Sequence, residues 1–292
     1  MSEQVVIGSG ELNAVIDPLG AELVSLSDAA GRQFLWNGDP AWWTGHAPIL
    51  FPIIGELAGG TYRLGGRSYS LARHGFARRS TFRCEEHEPG SRARFRLEDD
   101  EATRAVYPFP FSLDLLYEVR GRTLTVVATV INRGDQPMPF SLGLHPAFAW
   151  PLPGGGDKDA HKIVFEQPEP APIFRLDANG LLAHSEPSPV KDGTLALSSA
   201  LFAEDALILD QPASRQLCYR GENGVGIDIA FDGFPQLGIW QKPGAPFLCI
   251  EPWAGLADPA DFTGDFREKP GILQLAPGAE RGFRMDLTVR AE

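Results

Sequence analysis

Apolar and polar positions alternate in short runs along this chain, and turns rich in glycine or proline separate the runs. Residues 10–16, the Asp17-Pro18-Leu19-Gly20 turn and residues 22–26 read as strand, turn, strand. Residues 62–64 and 67–71 flank Gly65-Gly66 and predict a tight hairpin. Residues 82–86 and 94–97 flank Pro89-Gly90 in the same way. The clearest pair is 112–119 and 123–132, in which Leu113, Leu115, Tyr117 and Val119 alternate with mostly polar neighbours before Arg120-Gly121-Arg122 reverses the chain. Further strands are predicted at 206–209, 226–231, 237–240, 247–250 and 283–289. Helical periodicity is scarce, with short helices expected only around 40–43 and 199–202. Residues 151–158 and 166–172 read as long surface connections, and neither marks a domain boundary.

Composition agrees with that pattern. The 292 residues are 43% hydrophobic and 22% charged, enough to bury a full core, and 32 Gly and 25 Pro supply the many turns an all-β chain needs. The expectation is all-β, with residues 1–292 as a single domain. A formal charge of −12 argues against nucleic acid or an anionic membrane surface as the main partner, and a neutral small molecule fits better. Cys84, Cys218 and Cys249 form no CxxC pair, as a reducing compartment allows. The start carries no signal-peptide pattern and no window reaches membrane-spanning length, so a cytoplasmic location is expected. The chain is expected as a monomer or homodimer. Histidine and cysteine are too scattered for a recognisable zinc site.

Three segments combine residues that can do chemistry. In Phe247-Leu248-Cys249-Ile250-Glu251-Pro252-Trp253 a strand runs into a carboxylate, and alternation puts Glu251 on the face of Phe247 and Cys249. Desolvation there would raise its pKa toward that of a general base, whereas a Glu that has reached solvent would be inert. In Ser141-Leu142-Gly143-Leu144-His145-Pro146-Ala147-Phe148, His145 sits where proline stops the ladder, as a titrating imidazole or a satisfied core histidine. Leu71-Ala72-Arg73-His74-Gly75-Phe76-Ala77-Arg78 puts an Arg-His pair beside a glycine that lets backbone approach a ligand, although the run with Arg79 and Arg83 equally reads as a solvated face. Residues 47–55, apolar with two prolines, read as structural.

Taken in order, the Arg-His loop near 74, Leu-His-Pro-Ala-Phe near 145 and Ile-Glu-Pro-Trp near 251 resemble the aldose 1-epimerase (galactose mutarotase-like) family, in its LacX-type bacterial branch. The resemblance runs from Gly20-Ala21-Glu22-Leu23-Val24-Ser25-Leu26 to Leu275-Ala276-Pro277-Gly278. It implies a large antiparallel β-sandwich that interconverts the α and β anomers of a sugar by proton transfer, with no cofactor or metal. By that analogy Glu251 matches the base, His145 the acid and His74 a second histidine that hydrogen-bonds the sugar. Asp205 resembles the family's hydroxyl acceptor, with a turn aspartate as the plainer reading. Arg73 could bind a hydroxyl or orient Glu251, and Trp240 or Trp43 could offer an aromatic face.

Two departures bear on substrate. Where many relatives resemble Gly-Arg, this chain has Gly55-Glu56, and the loop Trp43-Thr44-Gly45-His46 lacks the arginine of the related hexose-6-phosphate epimerases. The first implies that the substrate differs, and the second favours a free aldose, although Arg73 and Arg78 could form another phosphate clamp. A hexose-6-phosphate 1-epimerase and a non-catalytic sugar-binding protein remain the alternatives.

Overall fold

A computed structural model describes residues 3–290. Antiparallel strands dominate it, as the alternation predicts. One sheet of nine strands runs in the order Thr194–Ala196, Lys162–Phe165, Gln216–Arg220, Gly226–Asp232, Glu280–Arg290, Thr123–Asn132, Phe111–Arg120, Arg92–Glu98 and Arg83–Glu88. A second sheet is ordered Leu182–Glu186, Ile173–Leu176, Leu207–Asp210, Gln236–Trp240, Phe247–Ala254, Leu142–Leu144 and Ile49–Leu50, with Ala147–Ala149 also paired to Phe247–Ala254. Val5–Gly8, Leu12–Asp17 and Glu22–Asp28 form a smaller sheet.

The two large sheets share a continuous apolar core. Leu113, Leu115, Tyr117, Leu124, Val126 and Ala128 of the first join Leu207, Leu209, Leu237, Ile239, Leu248 and Ile250 of the second in one buried cluster. Each fully buried side chain of this size contributes roughly 1.5–3 kcal/mol, so the inner faces account for most of the stabilisation. A strand of the second sheet then has its other face free. On Phe247–Ala254 that face carries Phe247, Cys249, Glu251 and Trp253, and every residue of the strand is buried because loops cover it.

The alternation also led to two errors. Residues 40–43 form turns, not a helix: Trp42 and Trp43 N–H groups donate to Asp39 O, and the Trp36 indole N–H takes the Trp43 carbonyl at 2.8 Å that a growing helix would need. A helix appears instead at Glu101–Val106, too short to show a period but capped by Asp100, which accepts from Thr103 N at 2.7 Å while Thr103 Oγ1 accepts from Asp100 N at 2.8 Å. The expected helix near 200 is a single 3-10 turn, Ser199–Phe202. No helix among the described residues is long and apolar enough to cross a membrane.

Candidate active site

Strand register explains how two distant segments meet. Gly143 pairs with Trp253 and Ala147 with Cys249, so the same register sets His145 opposite Glu251. Pro146 cannot donate to the ladder, which interrupts the strand between Leu142–Leu144 and Ala147–Ala149 without shifting that register. Directly opposed residues on one face have neighbouring side chains. His145 Nε2 accordingly lies 3.1 Å from Glu251 Oε2, at 7% and 1% exposure. Glu251 Oε2 has no hydrogen-bond partner among the described residues, and neither does His145 Nδ1 on the far side of the ring.

The pair forms the floor of a cavity of about 280 Å³. All seven residues singled out in the sequence line it: Glu251, His145, His74, Arg73, Asp205, Trp240 and Trp43. Trp253, Ile54, Leu176, Ile208 and Arg78 complete most of the wall; the sequence offered Arg78 only as part of a phosphate clamp and did not assign the other four to the site. Alternation from Glu251 would have found Trp253. Gly238, opposite Glu251, admits its indole, since a Cβ there would stand 2.6 Å from the ring.

Each side chain is held by a specific local device. The backbone of His74 takes a positive φ of 64°, costly for a non-glycine residue, and Gly55 holds it there from both sides. His74 N donates to Gly55 O at 2.9 Å, and Gly55 N donates to His74 Nδ1 at 3.0 Å. Gly75 follows because it approaches Phe51 so closely that a Cβ would stand 2.2 Å from the carbonyl oxygen. Asp205 also has a positive φ of 63°, and its Oδ1 accepts from Ala206 N at 2.7 Å. Trp43 packs 5.1 Å from the His145 ring and 5.9 Å from Trp240, so aromatic faces wall the cavity beside the imidazole.

The basic run divides, with Arg79 and Arg83 exposed as a solvated face would have them and Arg73 and Arg78 not. Arg73 and Arg78 turn into the cavity, where Arg78 Nη2 donates to Arg73 O at 3.1 Å. Glu56 is not among the lining residues, and its Cγ and the Arg73 guanidinium both crowd Gly180. Residues 47–55 are more than structural, since Ile54 and Gly55 reach the cavity.

Burial drives the two floor groups in opposite directions. It pushes the Glu251 carboxyl well above its ordinary value, opposed by Arg73 and reinforced by Asp205. It also drops the His145 imidazole to about 3. His74 falls well below its usual range, first through burial and then through His145, Arg73 and Arg78. Burial thus favours a protonated Glu251 carboxyl beside a neutral His145 imidazole. Moving that proton across 3.1 Å turns carboxyl and imidazole into carboxylate and imidazolium with no change in net charge. A base and an acid in opposite protonation states are available together.

The model of the aldose 1-epimerase family matches residues 3–265. The chain belongs to the aldose 1-epimerase family. Among curated relatives, the chromosomally encoded LacX protein of Lactococcus lactis subsp. lactis is 32% identical over 282 residues, covering 93% of this chain and 94% of that protein. Among solved structures, a galactose mutarotase related enzyme of Lactobacillus acidophilus has a TM-score of 0.93 at 32% identity, covering 99% of this chain and 98% of its own. A galactose mutarotase-like protein of Lactobacillus casei follows at 0.91 and 30%, covering 99% of this chain and 100% of its own. The sandwich described above is that of this aldose 1-epimerase family, and the family places the chain among carbohydrate epimerases.

Proposed function

We propose that the chain interconverts the α and β anomers of an unphosphorylated aldose, with Glu251 and His145 as the reacting pair. Glu251, as carboxylate, takes the proton of the anomeric hydroxyl while His145, as imidazolium, protonates the ring oxygen. The ring opens, the aldehyde end turns, and closure reverses the two roles. His74 donates to the sugar from Nε2–H, because its Nδ1 already accepts from Gly55. Asp205 accepts from a hydroxyl, and Trp43 and Trp240 cover the sugar's C–H faces. Every step is proton transfer, so the reading assigns no cofactor or metal. It also takes residues 1–292 as one domain, supported by a core cluster that draws on Val5 and Val289 alike.

The observation that carries this reading is the opposed His145–Glu251 pair, 3.1 Å apart on the floor of the cavity. The absence of arginine from residues 43–46 supports a sugar without phosphate. Polarimetry on freshly dissolved α-D-glucose and α-D-galactose tests it. The protein should hasten the approach to equilibrium, and His145→Asn should slow it by about 10²- to 10⁴-fold, the usual worth of a positioned acid or base. A His145→Asn protein as active as the wild type would overturn the assignment.

A further inference from the structure

The wall formed by residues 73–78 offers hydrogen-bond donors without acceptors. His74 Nδ1 accepts from a backbone N–H, which can only donate, so its neutral ring carries the proton on Nε2. Arg73 Nε–H is directed at that same Nε2 across 3.3 Å, and the Arg73 guanidinium lines the cavity beside it. Arg78 adds a further donor, since its Nε is buried and has no partner among the described residues. Its Nη2 is occupied by the Arg73 carbonyl. Neither guanidinium forms an ion pair among the described residues; Glu22 and Glu56 act on Arg78, and Arg73 acts on Glu251, only from further away. Two unpaired cations held against a cavity are unexpected in a chain of net charge −12.

A sugar hydroxyl satisfies such a wall poorly, because it brings a proton that needs an acceptor. A carboxylate brings acceptor lone pairs only, and guanidinium groups bind it through charge-assisted hydrogen bonds. Charge sets the limit. Arg73, Arg78 and Asp205 among the lining residues sum to +1, and Glu56 just outside them lowers that further. That matches one negative charge better than the two a phosphate monoester approaches at neutral pH. The His74 and His145 ring centroids stand 5.8 Å apart, a spacing that a single pyranose with its substituents bridges.

Resting on the mutarotase reading, we infer that the preferred substrate is a hexuronic acid, its carboxylate held by Arg73, Arg78 and His74 while its anomeric carbon faces Glu251 and His145. The test compares galacturonate and glucuronate with galactose, glucose and galactose 6-phosphate, by NMR anomer exchange and separately by calorimetric binding. The uronates should exceed their neutral parents at least tenfold in kcat/KM at low ionic strength, with the advantage shrinking as salt is added. Arg73→Gln and Arg78→Gln should each bring the uronate-to-parent ratio toward one, and Arg73→Lys should retain part of it. A merely structural role would lower both substrates together. Neutral sugars used as well as uronates, or the phosphate ester used best, would overturn the inference. Should no sugar exchange anomers, the mutarotase reading fails by itself. Calorimetry then decides the subsite: tighter uronate than parent sustains it, and equal binding removes it.

Discussion

Replacing Glu251 by Gln should make the protein more stable and much less active, and the stability gain should depend on pH in a defined way. In the unfolded chain this carboxyl loses its proton near its ordinary value of 4.5, whereas burial keeps it protonated in the folded cavity to well above that. The folded state therefore binds more protons than the unfolded state from pH 4.5 upward, and stability falls as pH rises. The slope is at most about 1.4 kcal/mol per pH unit, reaching a ceiling of about 3.4 kcal/mol at pH 7. Glutamine has the same shape and never titrates, so this loss disappears in the variant. His145 works in the opposite sense in both proteins. Its folded value of about 3, against 6.5 unfolded, makes stability rise with pH between those limits. The two slopes oppose each other in the wild type between pH 4.5 and 6.5, and Glu251→Gln leaves that of His145 alone. Urea unfolding of both proteins at pH 4.5, 5.5 and 7 reads the difference directly. The gap should be near zero at pH 4.5 and widen toward pH 7, while mutarotation falls by about 10²- to 10⁴-fold. A gap constant with pH would mean that Glu251 is already ionised in the free protein, and the protonated-carboxyl reading would be wrong.

Three other variants probe the supporting structure. Asp205→Asn should fold normally, because Asn tolerates a positive φ, yet lose about 10- to 100-fold in kcat/KM as the charged acceptor goes; unchanged kinetics would remove Asp205 from the site. Lys269 Nζ and Asp258 Oδ1 form a buried ion pair at 2.7 Å, and Asp258 Oδ2 accepts from Ala58 N at 2.9 Å beside the cavity wall. Lys269→Met should therefore cost about 3–5 kcal/mol in urea unfolding, and a loss under about 1 kcal/mol would show the pair to be incidental. Gly75→Ala should cost about 1–3 kcal/mol in backbone strain, with an added cost from the clash at Phe51 O, and should displace His74. Gly10→Ala, also at positive φ but with nothing within 4 Å of the new Cβ, is its control and should lose only the strain, with activity kept.

How legible the molecule was in its sequence depends on the range of the interaction concerned. Strands such as Phe111–Arg120 and Thr123–Asn132 were readable because alternation and a turn residue are local. Of the three-residue strands, Leu142–Leu144 was read as the run that Pro146 stops, whereas Ala147–Ala149 beyond it was not, since so short a run carries no period. The acid and base candidates stood out as polar residues in apolar surroundings. Their meeting did not, because it depends on the pairing of segments about a hundred residues apart. Arg73 and Arg78 read equally well as a solvated face, and only the positive φ at His74 and the close approach of Gly75 to Phe51 turn them inward. Asp205 was marked by resemblance alone, with its left-handed backbone invisible in the letters.

The measurement that bears most directly on the account is two-dimensional NMR exchange between the α and β anomeric signals of an aldose, recorded with wild type and Glu251→Gln. The account predicts exchange cross-peaks with the wild type well above the buffer background, and background exchange with the variant. Sugar binding without accelerated exchange in the wild type, or equal acceleration by both proteins, would contradict it.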